Sequence, residues 1–147
     1  MEQVISIGKQ DYEEIIKENY FYIDKTDFIR EWWESGDDVT LITRPRRFGK
    51  TLNMSMLKCF FSNQYSGKDY LFKNLSIWKN LKYQNLHGNF PVIYMSFADV
   101  KADNYEECRN GIIAIINEVY QSHRYLLKSD ILTEGEIELF KVLDCYT

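Results

Sequence analysis

No stretch of the chain approaches the roughly 20 consecutive apolar residues that a membrane-spanning helix needs. The opening Met1-Glu2-Gln3 lacks the basic and apolar regions of a signal peptide. The protein is therefore expected to stay in the cytoplasm, away from membranes. Cysteine is sparse, and Cys59, Cys108 and Cys145 are odd in number and widely spaced, which reads as reduced packing residues and excludes a disulfide framework. His87 and His123 are too isolated for metal-ligand spacing, so each is assigned a surface or packing role. Internal repeats and low-complexity tracts are absent as well. Aromatic residues are abundant: three tryptophans, eleven tyrosines and nine phenylalanines exclude a disordered chain. With 147 residues and 45% hydrophobic content there is material for one core, and a single domain over residues 1–147 is expected.

The net charge of −4 conceals an asymmetry. Residues 1–38 carry 4 basic and 11 acidic groups, residues 39–92 carry 9 basic and 1 acidic, and residues 93–147 carry 5 basic and 10 acidic. The basic middle can meet a nucleotide, a nucleic-acid backbone or the acidic flanks of its own chain. Lys58, Lys68, Lys73, Lys79 and Lys82 are spread out, without the clustering of a groove binder, so nucleic acid is not indicated and matching within the chain is the simpler account.

The most informative segment is Arg44-Pro45-Arg46-Arg47-Phe48-Gly49-Lys50-Thr51. It fits the phosphate-loop pattern G-x-x-x-x-G-K-[ST] except that arginine replaces the first glycine. The pattern works because a tight turn aims backbone N–H groups at phosphate oxygens, while the lysine reaches the β/γ-phosphates and the hydroxyl reaches Mg²⁺. Arg44, Arg46, Arg47 and Lys50 place four cations beside a helix N-terminus that already presents roughly half a positive charge. An anion relieves that repulsion. Pro45 biases Arg44 toward extended backbone and has no N–H to donate; arginine side chains can supply contacts in its place.

The flanks supply context. Val39-Thr40-Leu41-Ile42-Thr43 is β-branched and apolar and follows the turn residues Ser35-Gly36-Asp37-Asp38, which predicts a buried strand. Leu52, Met56, Leu57, Phe60 and Phe61 recur at helical spacing, which predicts a helix opened by Thr51.

These residues also carry a resemblance. Tyr22-Ile23-Asp24-Lys25-Thr26, then Leu41 to Asn53 with its Arg-Pro-Arg-Arg-Phe-Gly-Lys-Thr loop, then Ser55-Met56-Leu57, resemble the bacterial AAA-ATPase-like family of P-loop proteins. Phe90 to Phe97 resembles the family's next strand, and the likeness covers nearly the whole chain. It implies ATP, or another nucleoside triphosphate, with Mg²⁺ as ligands. Arg44 to Thr51 would then be the binding residues, with Thr51 on the metal. Arg44 becomes a family trait, and Asp24-Lys25-Thr26 becomes one wall of the nucleotide pocket, with helix capping and packing as the plain alternative. Relatives are predicted ATPases, many with a nuclease-like C-terminal domain of the PD-(D/E)xK type, which has no counterpart in these residues. The family's acidic Walker B strand has no counterpart either. Asp99, after the apolar run from Val92 to Ala98, is the only substitute, and its simpler reading is a strand end or turn.

Elsewhere, an acidic helix is expected over 11–19, and a helix capped by Asp24 or Thr26 carries Phe28, Ile29, Trp32 and Trp33 on one face. Residues 62–90 read as irregular, with turns near Tyr70 and Trp78; such a length is functional or holds hidden structure. Asp103-x-x-Glu106 resembles a capping box before Cys108, Ile112, Ile115, Ile116 and Val119, whose stripe should pack on a sheet. Thr133-x-x-Glu136 opens a last helix through Ile137, Phe140 and Leu143. Residues 39–43 and 92–97 are the clear strands, with Val4 to Ile7 and Tyr20 to Ile23 as weak additions. The resulting expectation is an α/β, RecA/AAA-like P-loop domain: a helical segment over 1–38, then a core over 39–147 with a parallel sheet flanked by helices. Two clear strands are few for such a sheet, and the apolar pattern is still legible at Thr147, so the chain reads as the N-terminal part of a longer domain. The function read from all this is an ATP-binding module without efficient hydrolysis of its own, completed by an oligomer partner or a further region. A non-catalytic interaction fragment and a nucleic-acid-associated module of a nuclease-linked ATPase are the alternatives.

Overall fold

A computed structural model describes residues 4, 5, 8–43, 45 and 48–144. Six α-helices form among them: α1 (Tyr12–Lys17), α2 (Asp27–Ser35), α3 (Lys50–Phe61), α4 (Leu81–Gln84), α5 (Tyr105–Ser122) and α6 (Glu134–Asp144). Short 3-10 turns lie at Asn63–Tyr65, Asp69–Leu71, Ser76–Lys79 and Arg124–Lys128. The residues fall into two compact units, Met1–Val92 and Ile93–Thr147.

The expected α/β fold with a parallel sheet is overturned: no strand forms among the described residues, and β pairing is reduced to one isolated parallel bridge, Ser62 to Phe90. Residues 39–43 and 92–97 have the composition of strands, but among the described residues no segment pairs with them in a ladder. Val39 and Leu41 are 86% and 82% exposed and Ile93 is 67% exposed. Strand preference is largely a preference for a paired, half-buried setting, and that setting is missing. Residues 20–23 likewise form no strand; Phe21 N–H donates to the Val4 carbonyl at 2.9 Å, while Ser6 and Ile7 lie outside the described residues.

The first unit is built around aromatic rings. α1 begins at Asp11, whose carboxylate accepts from Glu14 N–H at 2.8 Å, as a helix N-cap should. It packs on α3 through Tyr12, whose N–H donates to Ser55 Oγ at 3.0 Å and whose hydroxyl donates to the Leu71 carbonyl at 2.8 Å. Tyr12, Ile29, Met56, Phe60, Leu71 and Phe72 are among the buried core residues. Phe72 stacks on Tyr12 with centroids 5.2 Å apart and meets Phe60 edge-on at 5.1 Å, geometries that ring quadrupoles favour.

Residues 62–90 resolve into hidden structure. Their 3-10 turns and α4 deliver Tyr65, Leu71, Phe72, Ile77 and Tyr83 to the core. The segment closes on α3 where Gly88 N–H donates to the Phe60 carbonyl and Phe90 N–H to the Phe61 carbonyl, each at 2.9 Å. Gly88 has φ 70°, and a Cβ there would lie 2.7 Å from Ser66 Cα, so this crossing requires glycine.

The second unit pairs α5 with α6. The cap of α5 sits one residue later than the sequence pattern suggests: Asn104 Oδ1 accepts from Glu107 N–H at 2.9 Å, and Asn104 Nδ2 donates to Glu107 at 2.8 Å. Thr133 and Glu136 form the expected reciprocal box, with Thr133 N–H donating to Glu136 Oε2 at 2.8 Å and Glu136 N–H donating to Thr133 Oγ1 at 3.4 Å. The α5 stripe has no sheet to pack on. Ile112 and Ile116 stay more than a third exposed, and Tyr120 instead meets Phe140 of α6 edge-on at 4.8 Å.

Candidate functional site

The phosphate-loop residues meet at the start of α3. Gly49 is left-handed, at φ 74°, and is the N-cap residue. Only glycine takes that conformation without steric cost, and it turns the chain directly into the helix, which begins at Lys50, one residue before the expected Thr51. Having no side chain, Gly49 supplies no cap bond, and the first turn of α3 contains no acidic residue. The positive end of the helix dipole is thus not compensated by a side chain of its own first turn. A Cβ built at Gly49 meets nothing within 4 Å among the described residues.

Lys50 Nζ donates to the Pro45 carbonyl at 3.2 Å, which draws the lysine across the loop. Phe48 is exposed and Thr51 is half-buried. Arg44, Arg46 and Arg47 lie outside the described residues.

The Asp24-Lys25-Thr26 element is tied to the turn at Ser76–Lys79. Asp24 Oδ1 accepts from the Thr26 hydroxyl at 2.7 Å and from Thr26 N–H at 2.9 Å; Oδ2 accepts from Ser76 N–H at 2.7 Å. The Thr26 hydroxyl oxygen accepts from Ile77 N–H at 3.2 Å and lies 3.0 Å from Ser76 Oγ. Thr26 is the α2 N-cap residue but makes no side-chain cap bond, so the capping part of the plain reading is corrected to a clamp across fifty residues. Burial pushes the Asp24 carboxyl up, but the hydrogen bonds from Thr26 and Ser76 outweigh it and hold the group below the usual aspartate range. Ser76 carries no local signal of this role, because its partner is remote in sequence.

Charge matching within the first unit is direct. Glu13 binds Lys17 at 2.7 Å and Lys68 at 3.0 Å, and Glu34 binds Lys82 at 3.1 Å. Burial raises the Glu13 carboxyl, but its two lysines prevail and bring it down to about 2. Two lysines of the basic middle segment, Lys68 and Lys82, are thus met by acids of the first segment.

Asp99 is exposed in a turn, where its carbonyl accepts from Lys101 N–H at 2.9 Å. No group of three or more metal-ligating side chains occurs among the described residues. His87 is buried, with ring contacts to Phe60, Phe72 and Trp78. Burial lowers its pKa and Asp69 partly offsets this. His123 Nδ1 lies 2.8 Å from the Val119 carbonyl at the end of α5. Cys59 is a free buried thiol pushed up to about 11 by burial, and Cys108 is free and half-buried. No helix among the described residues is long and apolar enough to cross a membrane.

A family model described as "Predicted AAA-ATPase" matches residues 6–143. A curated relative from Azotobacter chroococcum mcd 1, named "Uncharacterized protein in vnfD 5'region", is 33% identical over 94 residues. The match covers 63% of this chain, which spans only 17% of the relative's length. No solved structure matches.

Proposed function

The chain belongs to the AAA-ATPase-like family of predicted AAA-ATPases, and on that premise we propose that it is a nucleotide-binding module taking ATP, or another nucleoside triphosphate, with Mg²⁺ at residues 44–51. The observation that carries the reading is the entry to α3. A left-handed Gly49 opens a twelve-residue helix that has neither a side-chain cap nor an acid in its first turn; three arginines precede it in the sequence and Lys50 is its first residue. Such an end favours an anion. Lys50 would leave the Pro45 carbonyl and neutralise the β/γ-phosphates, Thr51 would ligate Mg²⁺, and the amides near Phe48, Gly49 and Lys50 would cradle oxygens. The arginines 44, 46 and 47 would add charge-assisted contacts. The bound Mg²⁺ would supply charge neutralisation between phosphates.

Turnover is a separate matter. Phosphoryl transfer needs an acidic group on the metal and a residue that positions water, and the exposed turn residue Asp99 has the setting of neither. We therefore expect binding without fast hydrolysis from these residues alone. Calorimetric titration with ATP and Mg²⁺ tests the reading: the wild type should give a saturable heat, and Lys50→Ala should bind about tenfold more weakly or worse. Equal affinity in both proteins, or no binding by either, would overturn it.

A further inference from the structure

His87 sits where residues 62–90 close on α3. This excursion leaves at Ser62 and returns at Phe90, and its ends are tied: Asn63 N–H donates to the Phe90 carbonyl at 2.8 Å, and Gly88 N–H and Phe90 N–H donate back to α3. The His87 side chain is 2% exposed. Its ring meets Phe60 of α3, Phe72 after the Asp69–Leu71 turn and Trp78 of the Ser76–Lys79 turn, with centroids 5.6, 5.4 and 5.4 Å away. One side chain thus joins α3 to two separate turns of the excursion.

The surroundings suit a neutral imidazole. Nε2 is buried without a hydrogen-bond partner among the described residues. A neutral ring has one N–H and can leave the other nitrogen as a bare lone pair, whereas the cation carries an N–H on both. A buried donor without an acceptor costs its full desolvation. Asp69 is the charged group that acts on the ring. Its Oδ1 lies 3.7 Å from Nδ1, and its side chain is 44% exposed, so solvent screens much of the attraction. On the other elements packed around His87, Lys82 and Tyr83 of α4 bind Glu34, and the Cys59 thiol of α3 bonds Tyr65. Lys68 binds Glu13, and Lys73 and Lys79 are exposed.

We propose that His87 is a pH-sensitive lock: neutral, it seals residues 62–90 on α3, and protonated in mild acid it releases them. Burial holds the folded imidazole below the ordinary histidine range despite Asp69, so the unfolded chain takes up the proton first. The lock is therefore fully present above about pH 6.5 and weakens as pH falls below it. The inference does not rest on the nucleotide reading.

The intact chain suits the test, because His87 and His123 are its two histidines and all three tryptophans lie in the first unit. In urea unfolding followed by tryptophan fluorescence, the folded-to-unfolded ratio of the wild type should fall several-fold, up to about tenfold, between about pH 7.5 and about pH 5.5. His123→Gln should keep that fall and His87→Leu should abolish most of it. Hydrogen exchange, corrected for the intrinsic effect of pH, should show residues 62–90 losing protection several-fold more than α3 over the same range. Should His87→Leu not fold, proton NMR decides: the histidine signal that survives in His123→Gln should titrate below the ordinary histidine value. A wild-type ratio that ignores pH, an equal fall in His87→Leu, exchange that rises in α3 as much as in residues 62–90, or a His87 signal titrating at or above about 6.5 would each overturn the proposal.

Discussion

Residues 4–92, which hold all three tryptophans and seven of the nine phenylalanines, bury their apolar side chains very differently from residues 93–144. In the first unit Tyr12, Ile29, Met56, Phe60, Leu71 and Phe72 are nearly inaccessible, whereas in the second Phe140 is the one large apolar residue buried among the described residues. α5 is the longest helix, at 18 residues, yet Asn117 is its buried residue and Ile112 and Ile116 are 38% and 39% exposed. Periodicity says which side chains share a face. It does not supply the surface that covers the face. The second unit is held instead by the Tyr120–Phe140 contact and by Arg124, which donates to Asp144 Oδ2 at 2.8 Å and 2.5 Å.

The contrast is measurable because Trp32, Trp33 and Trp78 all lie in the first unit, so tryptophan fluorescence follows that unit alone. Phe72→Ala should have the largest effect. It removes a ring that touches Tyr12, Phe60 and Trp78, and the fluorescence-detected urea transition should lose about 4 kcal/mol. Phe140→Ala should leave that transition within about 0.5 kcal/mol of wild type. A shift as large as that from Phe72→Ala would break the comparison by showing one cooperative body.

Asp24→Asn should have a smaller effect that depends on pH. The native carboxyl lies below its ordinary range, so its contribution is fully present above the unfolded aspartate pKa and is lost as pH falls through the folded value. The variant should cost about 1 kcal/mol at neutral pH, discounted for the exposure of Asp24, and the difference should shrink between about pH 5 and about pH 3. A gap that stays constant over this range would show that the clamp does not depend on the carboxylate charge. The smallest effects belong to the exposed segments. Leu41→Thr and Ile93→Thr should each change stability by less than about 0.5 kcal/mol in urea unfolding followed by circular dichroism. A loss of about 2 kcal/mol or more from either would mean that these residues are covered in solution.

Local patterns made the helices legible. Asp11, Thr133 with Glu136, and the spacing of Met56, Phe60 and Phe61 all act within a turn or two of chain, so α1, α3 and α6 could be placed from side-chain chemistry alone. The cap of α5 moved by one residue because Asn104 competes with Asp103 for the same role. Residues 62–90 were opaque because 3-10 turns have no long period to detect, and their buried tyrosines and phenylalanines follow no stripe. In the candidate site, the types and order of Gly49, Lys50 and Thr51 were readable. The link from Asp24 and Thr26 to Ser76 was not, since nothing near Ser76 marks its partner.

The sequence by itself determined the α-helices outside residues 62–90, the glycine that turns into α3 and the run of cations before it, because each depends on neighbours a few residues away. Only the tertiary structure decided that residues 39–43 and 92–97 stand without a ladder, that residues 62–90 complete the core, and that Asp24 ties one turn to another. Those outcomes rest on contacts between residues far apart in the chain. A strand or a buried face exists only when such a partner is present to satisfy its backbone and exclude water.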